Sequence, residues 1–305
     1  MTTTNKYGLS RDIPDPIKRQ VRQECGFGCV ICGLAIVSYE HLDPEFSNAT
    51  THDPQNIALL CEHCHSRITR KYWSKQKAIE ARKSPYCIIN KKCHDAFDIN
   101  TPDAFIWLAS NVFRNPSNLI TINNEPILSF ILPTSQSEPY KLNAKFYDDN
   151  NVLSLEISNN EWFGHTGNWD IECRDRRVII RQRPGNISLS ILCIPPKGII
   201  VERINMVYNK VKVIGDKRTL KLVGYSEIEK REGLNLNLSD CEVITEKGFK
   251  ANPNGSIEFS GRINPLKGSN QLPHNISKKY GPNKPCICGS GRKYKKCCGL
   301  KKYSS

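Results

Sequence analysis

The sequence predicts an α+β multidomain chain: a small N-terminal ββα unit held by cysteine pairs, a central β-rich domain and a short cysteine-rich tail. Three observations carry this expectation. Cys29 with Cys32 and Cys61 with Cys64 form two CxxC knuckles separated by 28 residues. Between about residues 120 and 265, segments such as KLNAKFY, VLSLEIS and KVKVIG alternate apolar with polar positions between Pro, Gly, Asn and Asp. Near the end, Cys286 and Cys288 are followed, after eight residues, by Cys297 and Cys298.

The first module is expected over residues 1–90. Asp15 and Pro16 read as cap and first position of a helix over PIKRQVRQE, where Ile17 and Val21 recur four residues apart. Glycines in CGFGCVICG permit the tight turns of a knuckle, and LAIVSY alternates weakly as a strand leading to Glu40 and His41. A CxxC presents two thiolates from one turn, so two knuckles complete a tetrahedral sulfur site, the ligand set of a structural zinc. After Cys64, HSRITRKYWSKQKAIEARK reads as one helix starting at His65. Its Arg67, Arg70, Lys71, Lys75, Lys77, Arg82 and Lys83 stand against a single acid, Glu80.

Between the knuckles, Glu40 and His41 are adjacent, Asn56 follows a loop, and His65 comes directly after the last knuckle cysteine. In this order, with the proline of HLDP and the apolar run of NIALLC, residues 11–85 resemble the HNH endonuclease family in its zinc-knuckle, ββα-metal form. The resemblance makes His41, Asn56 and His65 the name-giving positions and implies metal-dependent hydrolysis of phosphodiester bonds, with DNA as the expected substrate. The common setting of such modules adds the expectation of a role in defence against foreign DNA.

A neutral imidazole with a pKa of about 6.5 can take a proton from water at cellular pH, so His41 is the expected general base. Glu40 and His65 offer the hard oxygen and imidazole ligands suited to a catalytic divalent cation, Mg²⁺ or Mn²⁺. Asn56 is expected to orient His41 through its amide or to join the metal shell. Glu40 departs from the Asp or His that family members more often carry before the base. Arg67, Arg70, Lys71 and Lys75 are the expected phosphate contacts. The alternative is a noncatalytic zinc protein that binds nucleic acid or a protein, for which the cysteines alone suffice. His52, His63, His94, His165 and His274 read as loop or surface residues, and the irregularly spaced Cys87 and Cys93 as ordinary thiols.

PDAFIWLASNVFRN, with Phe105, Leu108, Ala109 and Val112 along one side, reads as a helix within a connector over 91–119. The β-rich domain follows over 120–265, as a sandwich first and a short β-solenoid as the alternative. Trp162, Phe163, His165 and Trp169 read there as packing residues. A linker over 266–282 leads to residues 283–300 and a basic end at 305. PCICGSGRKYKKCCG resembles the SEC-C zinc motif found at the end of the preprotein-translocase ATPase. That resemblance implies a second structural zinc on Cys286, Cys288, Cys297 and Cys298 and contact with a protein partner; the lysines make nucleic acid an equal candidate.

Charge is distributed unevenly. The chain carries 44 Lys and Arg against 30 Asp and Glu, a net +14. Residues 1–100 hold 14 basic and 11 acidic residues, whereas residues 278–305 hold 9 basic residues and no acid. Affinity for DNA is therefore expected to lean on the tail and on the basic helix. Two zinc sites use eight of the 14 cysteines. Cys25, Cys87, Cys93, Cys173, Cys193 and Cys241 show no pairing pattern, as expected in a reducing cytosol. No stretch approaches the roughly 18 to 20 apolar residues of a membrane span, and the N-terminus lacks a signal-peptide core. A cytoplasmic protein without membrane contact is expected.

Overall fold

The computed structural model describes residues 4–265 apart from 102–103, 115–116, 132, 134–137, 217–218, 227–230, 239–240 and 252–256. The SEC-C cysteines Cys286, Cys288, Cys297 and Cys298 and the linker before them lie outside the described residues.

Helix α1 (Asp15–Cys25) opens the first module, with Pro16 in its first turn. It ends where Gly26 turns left-handed at φ 70°, and a Cβ there would sit 2.7 Å from Cys87 Cβ. Strands β1 (Ser38–His41) and β2 (Ile57–Leu60) pair antiparallel, setting Glu40 opposite Ala58 and His41 opposite Ile57. Helices α2 (Glu62–Thr69), α3 (Lys75–Lys83) and α4 (Tyr86–Asn90) follow. Every residue of β2 is buried, together with Val21, Cys25 and Ala78, in a core separate from that of the β domain. Burial of these apolar side chains, at roughly 1.5–3 kcal/mol for each large one, fixes β1 and α2 on one scaffold.

The single basic helix expected over 65–83 is broken into two. Lys71 adopts φ 62°, and the Trp73 N–H donates to the Arg67 carbonyl at 3.1 Å. Trp73 packs on the module core with Arg67 and Lys77 over its ring, at 4.9 and 4.6 Å from the centroid. Anchoring this large aromatic surface outweighs one more turn of helix, whose intrinsic stability is small.

The remaining strands are β3 (Lys92–Ala96), β4 (Phe105–Leu108), β5 (Asn111–Arg114), β6 (Asn118–Ile122), β7 (Glu125–Ile131), β8 (Lys141–Tyr147), β9 (Leu153–Ser158), β10 (Glu161–His165), β11 (Asp170–Arg174), β12 (Arg177–Arg183), β13 (Asn186–Ile194), β14 (Gly198–Tyr208), β15 (Val211–Gly215), β16 (Leu220–Ser226), β17 (Arg231–Leu238), β18 (Cys241–Ala251) and β19 (Ile257–Pro265). Two-residue turns with both residues at positive φ close four hairpins: Asn123–Asn124, Asn159–Asn160, Asp175–Arg176 and Asn209–Lys210. Such turns match the right-handed twist of the strands, and Asn and Asp tolerate the left-handed region.

Long-range parallel pairing then ties early hairpins to late ones. β4 pairs with β14, and β5 and β6 pair in succession with β18. The β domain is thus one hydrogen-bonded system of antiparallel hairpins with parallel joints. Among the described residues these strands form one closed sheet, in place of the expected sandwich or solenoid.

The expected connector helix is also corrected. Its Phe105–Leu108 and Asn111–Arg114 form the β4–β5 hairpin, turning at Ala109 with φ 57°. FIWL satisfies a helical spacing by chance. A short apolar run is ambiguous by period, and pairing with β14 decides it. The β system accordingly begins at Lys92, where β3 pairs with β10, well before residue 120. Trp162 is buried and stacks on Phe97, in keeping with a packing role.

A buried charge network joins the two modules. Arg22 on α1 donates from Nε and Nη2 to the two carboxylate oxygens of Asp170 on β11, both at 2.8 Å, while Arg181 Nη1 reaches the same carboxylate at 2.9 Å. Arg22 Nη1 also donates to Tyr39 Oη at 2.8 Å, one residue before Glu40 on β1. Burial disfavours the Arg22 charge, but hydrogen bonding to Asp170 and the neighbouring Tyr39, Asp170 and Glu172 raise its pKa overall. Gln23 donates to the Trp169 carbonyl at 2.7 Å, and the Arg19 guanidinium lies over the Trp169 ring at 4.8 Å.

Candidate nuclease centre

The four knuckle cysteines converge. Their sulfur atoms lie within 4.8 Å of one another, the one such group of potential metal ligands among the described residues. Cys32 Sγ is 3.6 Å from Cys61 Sγ and 3.7 Å from Cys64 Sγ. A tetrahedron with zinc–sulfur bonds of about 2.3 Å has edges of about 3.8 Å, so the residues fit a zinc ion.

Local structure builds each half of this site. Cys61 caps α2, its sulfur accepting from the Cys64 N–H at 3.5 Å. After Cys32 the chain turns at Gly33, φ 85°, where a Cβ would strike the Tyr86 ring at 2.6 Å. A hydrogen bond from Cys32 and the backbone amides of Cys61, Ile31 and Cys32 draw the Cys29 thiol down to about 5 against the effect of burial. Cys32 is pushed up, first by that bond with Cys29 and then by burial, and burial pushes Cys64 up to about 12. Four crowded sulfurs sharing little negative charge form an arrangement that a divalent cation resolves by stabilising all four thiolates.

Glu40 ends up beside His65, as the ββα pairing requires. Glu40 Oε2 lies 3.3 Å from His65 Nε2, and both side chains are roughly one-third exposed, at 37% and 36%. Two adjacent ligands at about 2.1 Å from one ion stand about 3.0–3.4 Å apart, so this pair fits a hard or borderline cation open to solvent.

His41, next on β1, is 6% exposed. Its Nε2 lies 3.1 Å from His52 Nδ1, with the Phe46 ring centroid 5.4 Å from its own. Burial, then His52 and the cations of Lys75 and Arg11, lower its pKa below the ordinary histidine value. A neutral imidazole is the form that accepts a proton.

Asn56 does not orient His41 through its amide group. It closes a short 3-10 turn (Pro54–Asn56) and donates Nδ2–H to Asp53 Oδ2 at 2.9 Å, while its carbonyl accepts from the Leu42 N–H at 2.8 Å. Its placement supports the end of β1 through the backbone.

Arg67, Arg70 and Lys71 are exposed and Lys75 is half-buried, with Lys75 Nζ 2.8 Å from Glu45 Oε1. Arg82 turns inward, donating to the Ile57 carbonyl at 2.9 Å and pairing with Glu24, so it is structural. Cys87 and Cys93 are buried, and burial raises both thiols, as befits inert core residues. His52, expected as a loop or surface residue, instead meets His41. Its only signal in the sequence is a position four residues before Asn56, and its contact with His41 exists only once the loop folds back.

The family model for HNH endonuclease matches residues 23–71, and the model for the SEC-C motif matches residues 283–300. The chain therefore carries an HNH module and a SEC-C motif. It is 48% identical over 48 residues to a protein translocase subunit SecA of Desulfovibrio desulfuricans, covering 16% of this chain and 6% of that protein. It is 71% identical over 24 residues to a UPF0225 protein of Geobacter sulfurreducens, covering 8% of this chain and 15% of that protein. The chain thus spans only a small part of the relatives it matches. No solved structure matches the chain. Among the described residues, no helix is long and apolar enough to cross a membrane.

Proposed function

We propose that this protein is a metal-dependent endonuclease that hydrolyses phosphodiester bonds of DNA. The observation that carries the reading is the pairing of Glu40 with His65 at 3.3 Å, open to solvent, beside the buried imidazole of His41. A zinc-binding adaptor needs the cysteines but has no use for this acid and these imidazoles.

Glu40 and His65 would hold the catalytic cation, Mg²⁺ or Mn²⁺. When bound, that ion supplies stabilisation of charge on the phosphate and on the leaving oxygen. His41 takes the proton of the attacking water. Arg67, Arg70, Lys71 and Lys75 contact phosphates along the duplex and set its register without reading bases. The zinc knuckles keep β1 and α2 in place, and the charge network on Asp170 seats the module on the β domain, which we assign to recognition of substrate or partner. The SEC-C motif adds an anchoring contact to nucleic acid or protein.

A plasmid-cleavage assay with Mg²⁺ or Mn²⁺ tests the reading by comparing the wild type with His41→Ala at equal zinc content. The expected loss is about 10²–10⁴-fold, the usual contribution of a general base. Equal cleavage by the two proteins rejects His41 as the base. DNA binding without cleavage by the wild type in either metal points to the adaptor instead.

A further inference from the structure

His52 is left unused by the chemistry above, yet it is the side chain bonded to the base. Its Nδ1 lies 3.1 Å from His41 Nε2, with ring centroids 5.3 Å apart. Its own Nε2 is buried without a hydrogen-bond partner among the described residues. Asn56, the residue expected to orient His41, instead gives its amide to Asp53.

We propose that His52 is the positioning residue of the base: its Nδ1 accepts a hydrogen bond from His41 Nε2–H, so that His41 Nδ1 carries the lone pair that takes the water proton. This inference rests on the nuclease reading.

Two neutral imidazoles at this distance share a proton in one of two ways. If His41 donates from Nε2, its Nδ1 is left as a base and His52 bears its proton on Nε2. If His52 donates from Nδ1, His41 bears its proton on Nδ1 and cannot act as a base there. The bond made by one ring nitrogen thus decides the chemistry of the other. The first arrangement puts both rings in the Nε2–H form, the intrinsically favoured tautomer of a neutral histidine; the second puts both in the disfavoured form.

When His41 Nδ1 takes the proton from water, the ring becomes an imidazolium and its Nε2–H bond to His52 becomes charge-assisted, roughly twice as strong as the neutral bond. The contact is therefore stronger in the transition state than in the ground state, the condition for raising kcat.

The test uses the full-length, zinc-loaded protein. Long-range ¹H–¹⁵N correlation of ¹⁵N-histidine protein reads the tautomer of His41, assigned by its loss in His41→Ala. The Nε2–H form is expected in the wild type, and a shift towards the Nδ1–H form in His52→Leu. In cleavage assays, His52→Leu is expected to lower kcat by roughly 10–100-fold with KM unchanged, a part of the full general-base contribution. His52→Asn, whose Oδ1 takes the place of Nδ1 as acceptor, should recover most of that loss. An Nδ1–H tautomer of His41 in the wild type overturns the proposal, as does unchanged kcat in correctly folded His52→Leu. Those results leave the nuclease reading intact if His41→Ala is still dead. Activity unaffected by both His41→Ala and His52→Leu fails the nuclease mechanism itself.

Discussion

Replacing Asp170 by alanine tests whether the buried charge network holds the nuclease module on the β domain. The Asp170 side chain is 0% exposed and accepts three hydrogen bonds of 2.8–2.9 Å from Arg22 and Arg181. Without it, Arg22 keeps only Tyr39 Oη at 2.8 Å and Glu172 at 3.9 Å, while its side chain remains 8% exposed. Arg181 keeps Glu172 at 2.9 Å. Removing one partner of a buried pair costs about 3–5 kcal/mol, because the uncompensated charge stays out of water. With a urea dependence of about 1–3 kcal/mol per molar, the unfolding midpoint falls by about 1 M or more. Urea unfolding followed by tryptophan fluorescence measures this, since Trp169 lies under Arg19 and accepts from Gln23 at the same junction. Hydrogen exchange of α1 amides shows whether the loss is local or global. The double variant Arg22→Met/Asp170→Leu should be less damaged than Asp170→Ala, because it removes a charge along with its partner. An Asp170→Ala protein within about 0.5 kcal/mol of the wild type, the range of ordinary surface changes, would refute the reasoning.

Metal analysis of the full chain should find about two zinc ions, with Cys32→Ser or Cys286→Ser each removing one; loss of structure by circular dichroism is expected only in the knuckle variant. For Glu40→Gln, a cleavage titration with Mn²⁺ should require more metal for half-maximal rate, by about 10-fold or more, because an anionic ligand becomes neutral. Arg70→Ala and Lys71→Ala should each weaken DNA binding and reduce the slope of log K against log salt by about 1, without changing sequence preference. The pH dependence has a defined sign. The His41 pKa is lowered, so the cleavage rate should persist below the ordinary histidine value of about 6.5 and fall only as pH drops through the lowered value. Burial raises the Glu172 pKa, but Arg22, Arg174 and Arg181 outweigh it and lower the pKa overall. Its stabilising contribution is thus present above the ordinary glutamate value of about 4.3 and is lost as pH falls through the lowered one, as acid unfolding would show.

The candidate centre was largely legible in the sequence because its chemistry is local. A CxxC turn sets two sulfurs wherever it occurs, and strand and helix place Glu40 and His65 side by side once the knuckles close. Alternation between Asn- and Asp-rich turns also announced a β domain, since period two is a property of the strand itself. Tertiary structure alone decided the partners of those strands. FIWL became β4 because β14 was available to pair with it, and the basic segment broke at Lys71 because Trp73 found a core to pack on. It likewise decided that Asn56 serves Asp53 while His52 meets His41, and that Arg22 crosses 148 residues of chain to Asp170. The amino-acid sequence by itself determined which chemical groups the protein has and which of them share one turn, strand or helix. Contacts between distant segments depend on closing long loops, a cost met only by the whole packed fold, and no local pattern of residues encodes them.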